Sequence, residues 1–176
     1  MIKQCLCVFV IFAVCSSFSI PEKLSKKADK VIAKFYEMED FIKEAITISE
    51  VMNAETVSEF GDENLFRISS NDTILGYGYI GNAPSKTASF DYLVLFDTNF
   101  IITKSKVLIY REEYGGEIGS KRWLKQFLGK SPASSELKYN QDIIPISGAT
   151  ISVRSMTRAI NDLLQSVGKL QKLNAL

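Results

Sequence analysis

The segment Asp142-Ile143-Ile144-Pro145-Ile146-Ser147-Gly148-Ala149-Thr150-Ile151-Ser152 gathers small and hydroxyl residues just ahead of an amphipathic stretch. At a helix start, such residues leave backbone N–H groups open at the positive end of the helix dipole. Gly148 and Ala149 let a ligand approach the backbone closely, so a phosphate could seat there without any lysine. Arg154 and Arg158, near the first turns, would add positive charge. A second reading needs no ligand: Ser147 or Ser152 simply caps the helix. The residues alone leave both open.

Other constellations are weaker. The run Arg111-Glu112-Glu113-Tyr114-Gly115-Gly116-Glu117-Ile118-Gly119 holds three carboxylates that could serve acid–base chemistry or merely carry a solvated loop. Its continuation through Ser120-Lys121 lacks the spacing of a nucleotide phosphate loop. Ser166-Val167-Gly168-Lys169 has a Ser-x-x-Lys pattern but falls where the last helix should fray. Asn71-Asp72-Thr73 is a glycosylation sequon by letters only.

Composition narrows the chemistry sharply. The chain has 176 residues, 46% hydrophobic and 23% charged, which suits one globular domain. Its 21 basic and 20 acidic residues create no net field toward nucleic acid. The absence of histidine removes Ser-His and Cys-His nucleophiles, His-bound metals and His-ligated haem. Cys5, Cys7 and Cys15 all lie in an apolar run that follows Lys3 and ends in Cys15-Ser16-Ser17-Phe18-Ser19. A charged start, apolar middle and small-residue exit predict a secretory signal over residues 1–19, cleaved after Ser19. Lipidation at Cys15 is the rival outcome, and Phe12-Ala13-Val14 ahead of it lacks the usual small residue before such a cysteine. Cleavage would leave residues 20–176 as one domain without cysteine, hence without disulfides, Cys-zinc sites or iron–sulfur clusters.

The elements that must position the hydroxyl segment can be read from periodicity. Residues 21–38 predict a helix, with Leu24, Ala28, Val31, Ile32 and Phe35 on one face and Lys23, Lys26, Lys27 and Lys30 on the other. That basic face is most simply solvated; an anionic membrane is the alternative. Strands are predicted over residues 65–68, 73–80, 90–96 and 101–110, broken by Ser70-Asn71-Asp72, Gly81-Asn82-Ala83-Pro84 and Asp97-Thr98-Asn99. The last two strands read as an antiparallel hairpin, with Phe90, Tyr92, Val94 and Phe96 on one face and Leu93 and Leu95 on the other. With both faces apolar, that strand belongs inside the sheet. Ser120 should cap a helix holding Trp123, Leu124, Phe127 and Leu128, stopped by Gly129. Residues 131–141 form a polar connector. Val153, Met156, Ile160, Leu163, Leu164 and Val167 stripe a final helix. The order predicts an α+β fold: an antiparallel β-sheet packed with an N-terminal helix and C-terminal helices.

Ser147-Gly148-Ala149-Thr150-Ile151-Ser152, with Asp142 upstream and an amphipathic helix downstream, resembles the flavinylation motif of the FMN-binding domain family. Such domains occur in the sodium-pumping NADH:quinone reductase, in the related Rnf electron-transfer complex, and in small stand-alone exported proteins. The family's motif is Ser/Thr-Gly-Ala-Thr/Ser followed one residue later by another Ser or Thr, and this chain matches every position. The resemblance spans roughly residues 70–168. It includes a strand pair, a Glu-x-x-Gly segment at Glu112-Glu113-Tyr114-Gly115, and Gln126-Phe127-Leu128-Gly129-Lys130. The ion-pump members usually have Thr-Pro where this chain has Glu113-Tyr114, so the loop is expected to meet the flavin differently.

The resemblance implies FMN joined through its phosphate to the Thr150 hydroxyl, loaded by a flavin transferase that uses FAD and magnesium. Ser147, Gly148 and Ala149 would shape the phosphate pocket and Ser152 would support it, with Asp142, Glu112 and Gly115 as further cofactor-binding candidates. No catalytic or metal-binding residue is assigned. Among Tyr77, Tyr79, Tyr92, Tyr110, Tyr114 and Trp123, most should be core; Tyr114 and Trp123 flank the glycine-rich loop and are the candidates to stack on the flavin. The implied activity is electron transfer between extracytoplasmic or membrane redox partners rather than stand-alone reductase chemistry, in a periplasmic or extracellular protein fed by a membrane-bound reductase. The alternatives are a reductase with its own small-molecule substrate and a redox-inactive secreted binding module that keeps the fold without flavin.

Overall fold

The computed structural model describes residues 20–61 and 63–176. The leader expected over residues 1–19, with its cysteines, lies outside the described residues. Helix α1 (Glu22–Tyr36) starts behind Pro21 and stops at Glu37, whose left-handed φ of 55° lets the Met38 N–H return to the Ala33 carbonyl at 3.0 Å. Five strands follow: β1 (Ile42–Ala45), β2 (Leu65–Ser70), β3 (Thr73–Pro84), β4 (Ser89–Phe96) and β5 (Ile102–Ile109). A four-residue helix α2 (Glu50–Asn53), capped by Ser49, interrupts β1 and β2. The strands pair antiparallel with their neighbours in chain order.

Three layers result. On one face α1 buries Leu24, Ala28 and Ile32 against Phe66, Ile68, Ile80, Leu93 and Leu95. On the other, helix α4 (Thr150–Lys172) packs Val153, Met156, Ile160, Leu163 and Val167 against a face that includes Tyr79, Tyr92, Val94 and Phe96. Strand β4 therefore puts alternate side chains into two cores, and seven of its eight residues are buried. The β4–β5 turn is held by Asp97, whose Oδ1 accepts from the Asn99 and Ile101 amides at 2.8 and 2.9 Å.

Leu128, expected inside, is 39% exposed, and three further expectations differ from what is observed. The break at residues 81–84 is instead the end of β3: Asn82 Nδ2 donates across to Asp91 Oδ1 at 2.7 Å, and Tyr92 lies over Gly81. Turn-forming residues are held extended there by cross-strand partners. The helix behind Ser120 is only one turn, α3 (Lys121–Leu124), between 3-10 turns at Gly116–Gly119 and Lys125–Phe127. Ser120 does cap it, accepting from the Trp123 amide at 3.3 Å. Ser166 sits in solid helix rather than at a frayed end. Its Oγ donates to the Asp162 carbonyl and accepts from the Val57 and Ser58 amides, so the side chain fastens a loop.

Candidate functional site

Thr150 is the first residue of α4 and is exposed. Ahead of it the chain turns tightly: the Ala149 amide returns to the Ile146 carbonyl at 3.2 Å, and Gly148 takes φ 78°. That left-handed φ suits glycine, which has no Cβ to oppose it. Ala149 occupies the N-cap position and offers no side-chain acceptor, and neither Ser147 nor Ser152 caps the helix. A 23-residue helix thus begins at an exposed residue with no side-chain cap on its first-turn amides, at the positive end of its dipole.

Two struts hold this turn. The first comes from α3 and the 3-10 turn behind it. Trp123 Nε1 donates to the Ile144 carbonyl at 2.8 Å, while Gln126 Oε1 accepts from the Ile144 amide at 2.7 Å and its Nε2 donates to the Trp123 carbonyl. Both backbone groups of Ile144 are thereby claimed six residues before Thr150. Trp123 is 5% exposed, so it supports the segment from the core.

The second strut is the loop after β5. Arg111 pairs with buried Asp91 at 2.5 Å and donates to the Ser89 carbonyl at 3.1 Å. Glu112 reaches the β3–β4 turn, where its carboxylate accepts from the Thr87 amide, the Thr87 hydroxyl and the Ala88 amide at 2.7, 2.7 and 3.1 Å. The Ser85 hydroxyl, facing the carboxylate outside strict hydrogen-bond geometry, and these Thr87 and Ala88 donors pull the Glu112 pKa down to about 2. Tyr110 donates its only hydroxyl proton to the Tyr114 carbonyl, so Ser152 Oγ donates to the Tyr110 oxygen at 3.1 Å. Gly115, at φ 82°, then comes against Ala149. A Cβ on Gly115 would lie 2.8 Å from the Ala149 Cβ and 3.0 Å from the Tyr110 hydroxyl.

The expected residues therefore separate into groups. Ser147, Gly148 and Thr150 are the exposed residues of the turn, Ala149 is buried at its base, and Gly115 and Ser152 lie directly behind it. Glu112 faces the β3–β4 turn rather than Thr150. Asp142 Oδ2 accepts from the Lys138 amide at 2.8 Å and closes its own turn upstream. The Arg154 guanidinium rests 4.7 Å from the centre of the Tyr139 ring. Tyr79, Tyr92 and Trp123 are core, and Tyr77 stacks on Phe100 at 4.3 Å. Tyr114 is 79% exposed beside the turn. Two exposed apolar residues escaped the motif reading, Ile144 and Ile151, at 67% and 49%. Both flank Thr150 in the chain, and no periodicity there separates them from buried Ile143, because the turn alone sets which side chains meet water. Among the described residues there is no cluster of Asp, Glu, His or Cys able to hold a metal, and no helix long and apolar enough to cross a membrane.

No curated protein matches the chain. The family model for the FMN-binding domain matches residues 87–165, a span that runs from the Thr87 partner of Glu112, through both struts and Thr150, into the second half of α4. Residues 87–165 of this chain belong to the FMN-binding domain family.

Proposed function

We propose that this chain is an exported electron-transfer flavoprotein that carries FMN covalently, as a phosphoester on the Thr150 hydroxyl. The observation that carries the reading is the Thr150 turn: an accessible hydroxyl on the first residue of a long, uncapped helix, inside an FMN-binding domain. The residues fit the group. A phosphodiester retains one negative charge, and the open amides of a helix start stabilise such a charge by about 0.3–1 kcal/mol at the surface. Gly148 keeps the approach to those amides clear. Tyr114, Ile144 and Ile151 supply exposed apolar surface against which a flat ring system would bury its faces.

When bound, the flavin would supply the redox chemistry, accepting and passing on electrons. The chain's own tasks are to present the Thr150 hydroxyl, to neutralise the phosphate and to fix both by the two struts. In loading, the Thr150 hydroxyl oxygen would take the FMN phosphoryl group of FAD, its proton passing to solvent as the pyrophosphate bond breaks and AMP leaves. A flavin transferase using FAD and magnesium would catalyse this, and a membrane-bound redox partner would feed the loaded protein.

Intact-mass spectrometry tests the reading on protein exported from a host that co-expresses a flavin transferase. Wild type should gain the mass of FMN less one water, Thr150→Ser should keep that adduct, and Thr150→Ala should lose it. Unmodified, folded wild type in a host whose transferase loads another target would overturn the covalent reading.

A further inference from the structure

A cleft of about 610 Å³ opens between α1, β5 and the α3 region, and it shares no residue with the Thr150 turn. Its volume is within the roughly 300–1,000 Å³ usual for small-ligand sites. Lys30, Lys34, Lys104, Lys106, Lys121 and Lys125 line it, and no carboxylate does. None of the six forms an ion pair among the described residues. In a chain of formal net charge +1, that is a marked local excess of positive charge. The rest of the lining is largely apolar, with Val31 and Phe35 from α1 and Leu124 and Leu128 opposite.

Lysine on an edge strand commonly serves only to block unwanted pairing, with its ammonium in water. Lys104 behaves otherwise. Its Nζ lies 5.9 Å from the centre of the Phe35 ring. Desolvation by burial, then the charges of Lys121, Lys106 and Lys34, push its pKa below the ordinary lysine value. Crowded ammoniums over an apolar floor are matched by a ligand with several negative oxygens at one end and hydrocarbon at the other.

We propose that this cleft binds a phosphate-headed amphiphile, the lysine ring taking the head group and Val31, Phe35, Leu124 and Leu128 taking the first part of its tail. The ligand chemistry is the same whether the molecule comes as a free amphiphilic phosphate or as an anionic phospholipid in a bilayer. A second cleft on α1, lined by Lys23, Lys26, Lys27 and Glu22, meets the first at Lys30 and extends the basic face. This inference does not depend on the flavin.

The test titrates residues 20–176, the proposed exported form, with dodecyl phosphate below its micelle concentration, followed by calorimetry. In parallel, the protein is sedimented with phosphatidylcholine vesicles with and without phosphatidylglycerol. Binding in the first arm identifies a free amphiphile as sufficient; binding only to phosphatidylglycerol vesicles identifies the bilayer as the source. In either arm the triple variant Lys104→Gln, Lys121→Gln, Lys125→Gln should weaken binding roughly tenfold or more. The pair Lys138→Gln and Lys172→Gln, outside the cleft, should change it little. Leu128→Ser should weaken the amphiphile but not inorganic phosphate. No binding in either arm, equal loss in the outlying pair, or inorganic phosphate binding as tightly as dodecyl phosphate would overturn the proposal.

Discussion

At the scale of single residues, Glu112 is the carboxylate that hydrogen-bond donors hold furthest below its ordinary pKa. Its donors favour the ionised form, so its folded pKa falls from an ordinary 4.5 to about 2. A depressed carboxylate pKa means that the unfolded chain binds the proton more readily. The stabilisation is therefore complete above pH 4.5 and disappears as pH falls toward 2. Wild type should melt above Glu112→Gln by a constant margin at neutral pH, and that margin should shrink through this acid window, as read by thermal melts at stepped pH. A margin independent of pH would show that the carboxylate charge does not hold the β3–β4 turn. The motif reading found Glu112 but not this partner, because Thr87 precedes it by 25 residues and only strand pairing brings them together. The helix start at Thr150 was legible for the opposite reason. Its neighbours in space are largely its neighbours in sequence: Gly148, Ala149 and the following helix. Gly115 lies between these cases, since its type announced a special backbone while its contact with Ala149 depends on the whole loop.

At the scale of elements, long periodic segments were legible and short ones were not. Helix α4 was readable because its stripe from Val153 to Val167 repeats over about four turns, and β4 because Phe90, Tyr92, Val94 and Phe96 alternate with Leu93 and Leu95. Strand β1 was missed because it is four residues long at the sheet edge, with three of them exposed, so burial imposes no pattern. The α3 region shows how a short element acts at a distance. It contributes one helical turn, yet Trp123 and Gln126 fix both backbone groups of Ile144. Gln126→Leu keeps the volume and removes the amide contacts. The expected cost is about 0.5–1.5 kcal/mol in denaturant unfolding, nearer the lower figure because water reaches Ile144. Hydrogen exchange supplies the sharper measurement: the Ile144 amide should exchange roughly tenfold faster while β3 and β4 amides keep their protection. Unchanged exchange at Ile144 would mean that the Trp123 bond alone holds the segment.

At the scale of the whole molecule, the FMN-binding match begins at residue 87, but the sheet it depends on does not. Strand β4 lies between β3 and β5, and its Leu93 and Leu95 are fully buried on the face that α1 covers. Residues 20–86 therefore complete the structure that holds the matched span. Removing residues 20–38 would uncover much of Phe66, Ile68, Ile80, Leu93 and Leu95, each no more than 5% exposed. At roughly 1.5–3 kcal/mol for fully burying each such side chain, the loss is on the order of 10 kcal/mol. That rivals the entire stability of an ordinary domain, about 5–15 kcal/mol. A fragment of residues 39–176 should consequently lose its cooperative thermal transition and bind a hydrophobic dye, although the Thr150 turn and both its struts are intact in sequence. A sharp transition within a few degrees of the parent would mean that α1 is an appendage. Loss of that transition would make α1 part of the scaffold for the flavin site, on the opposite side of the sheet from the helix that bears Thr150.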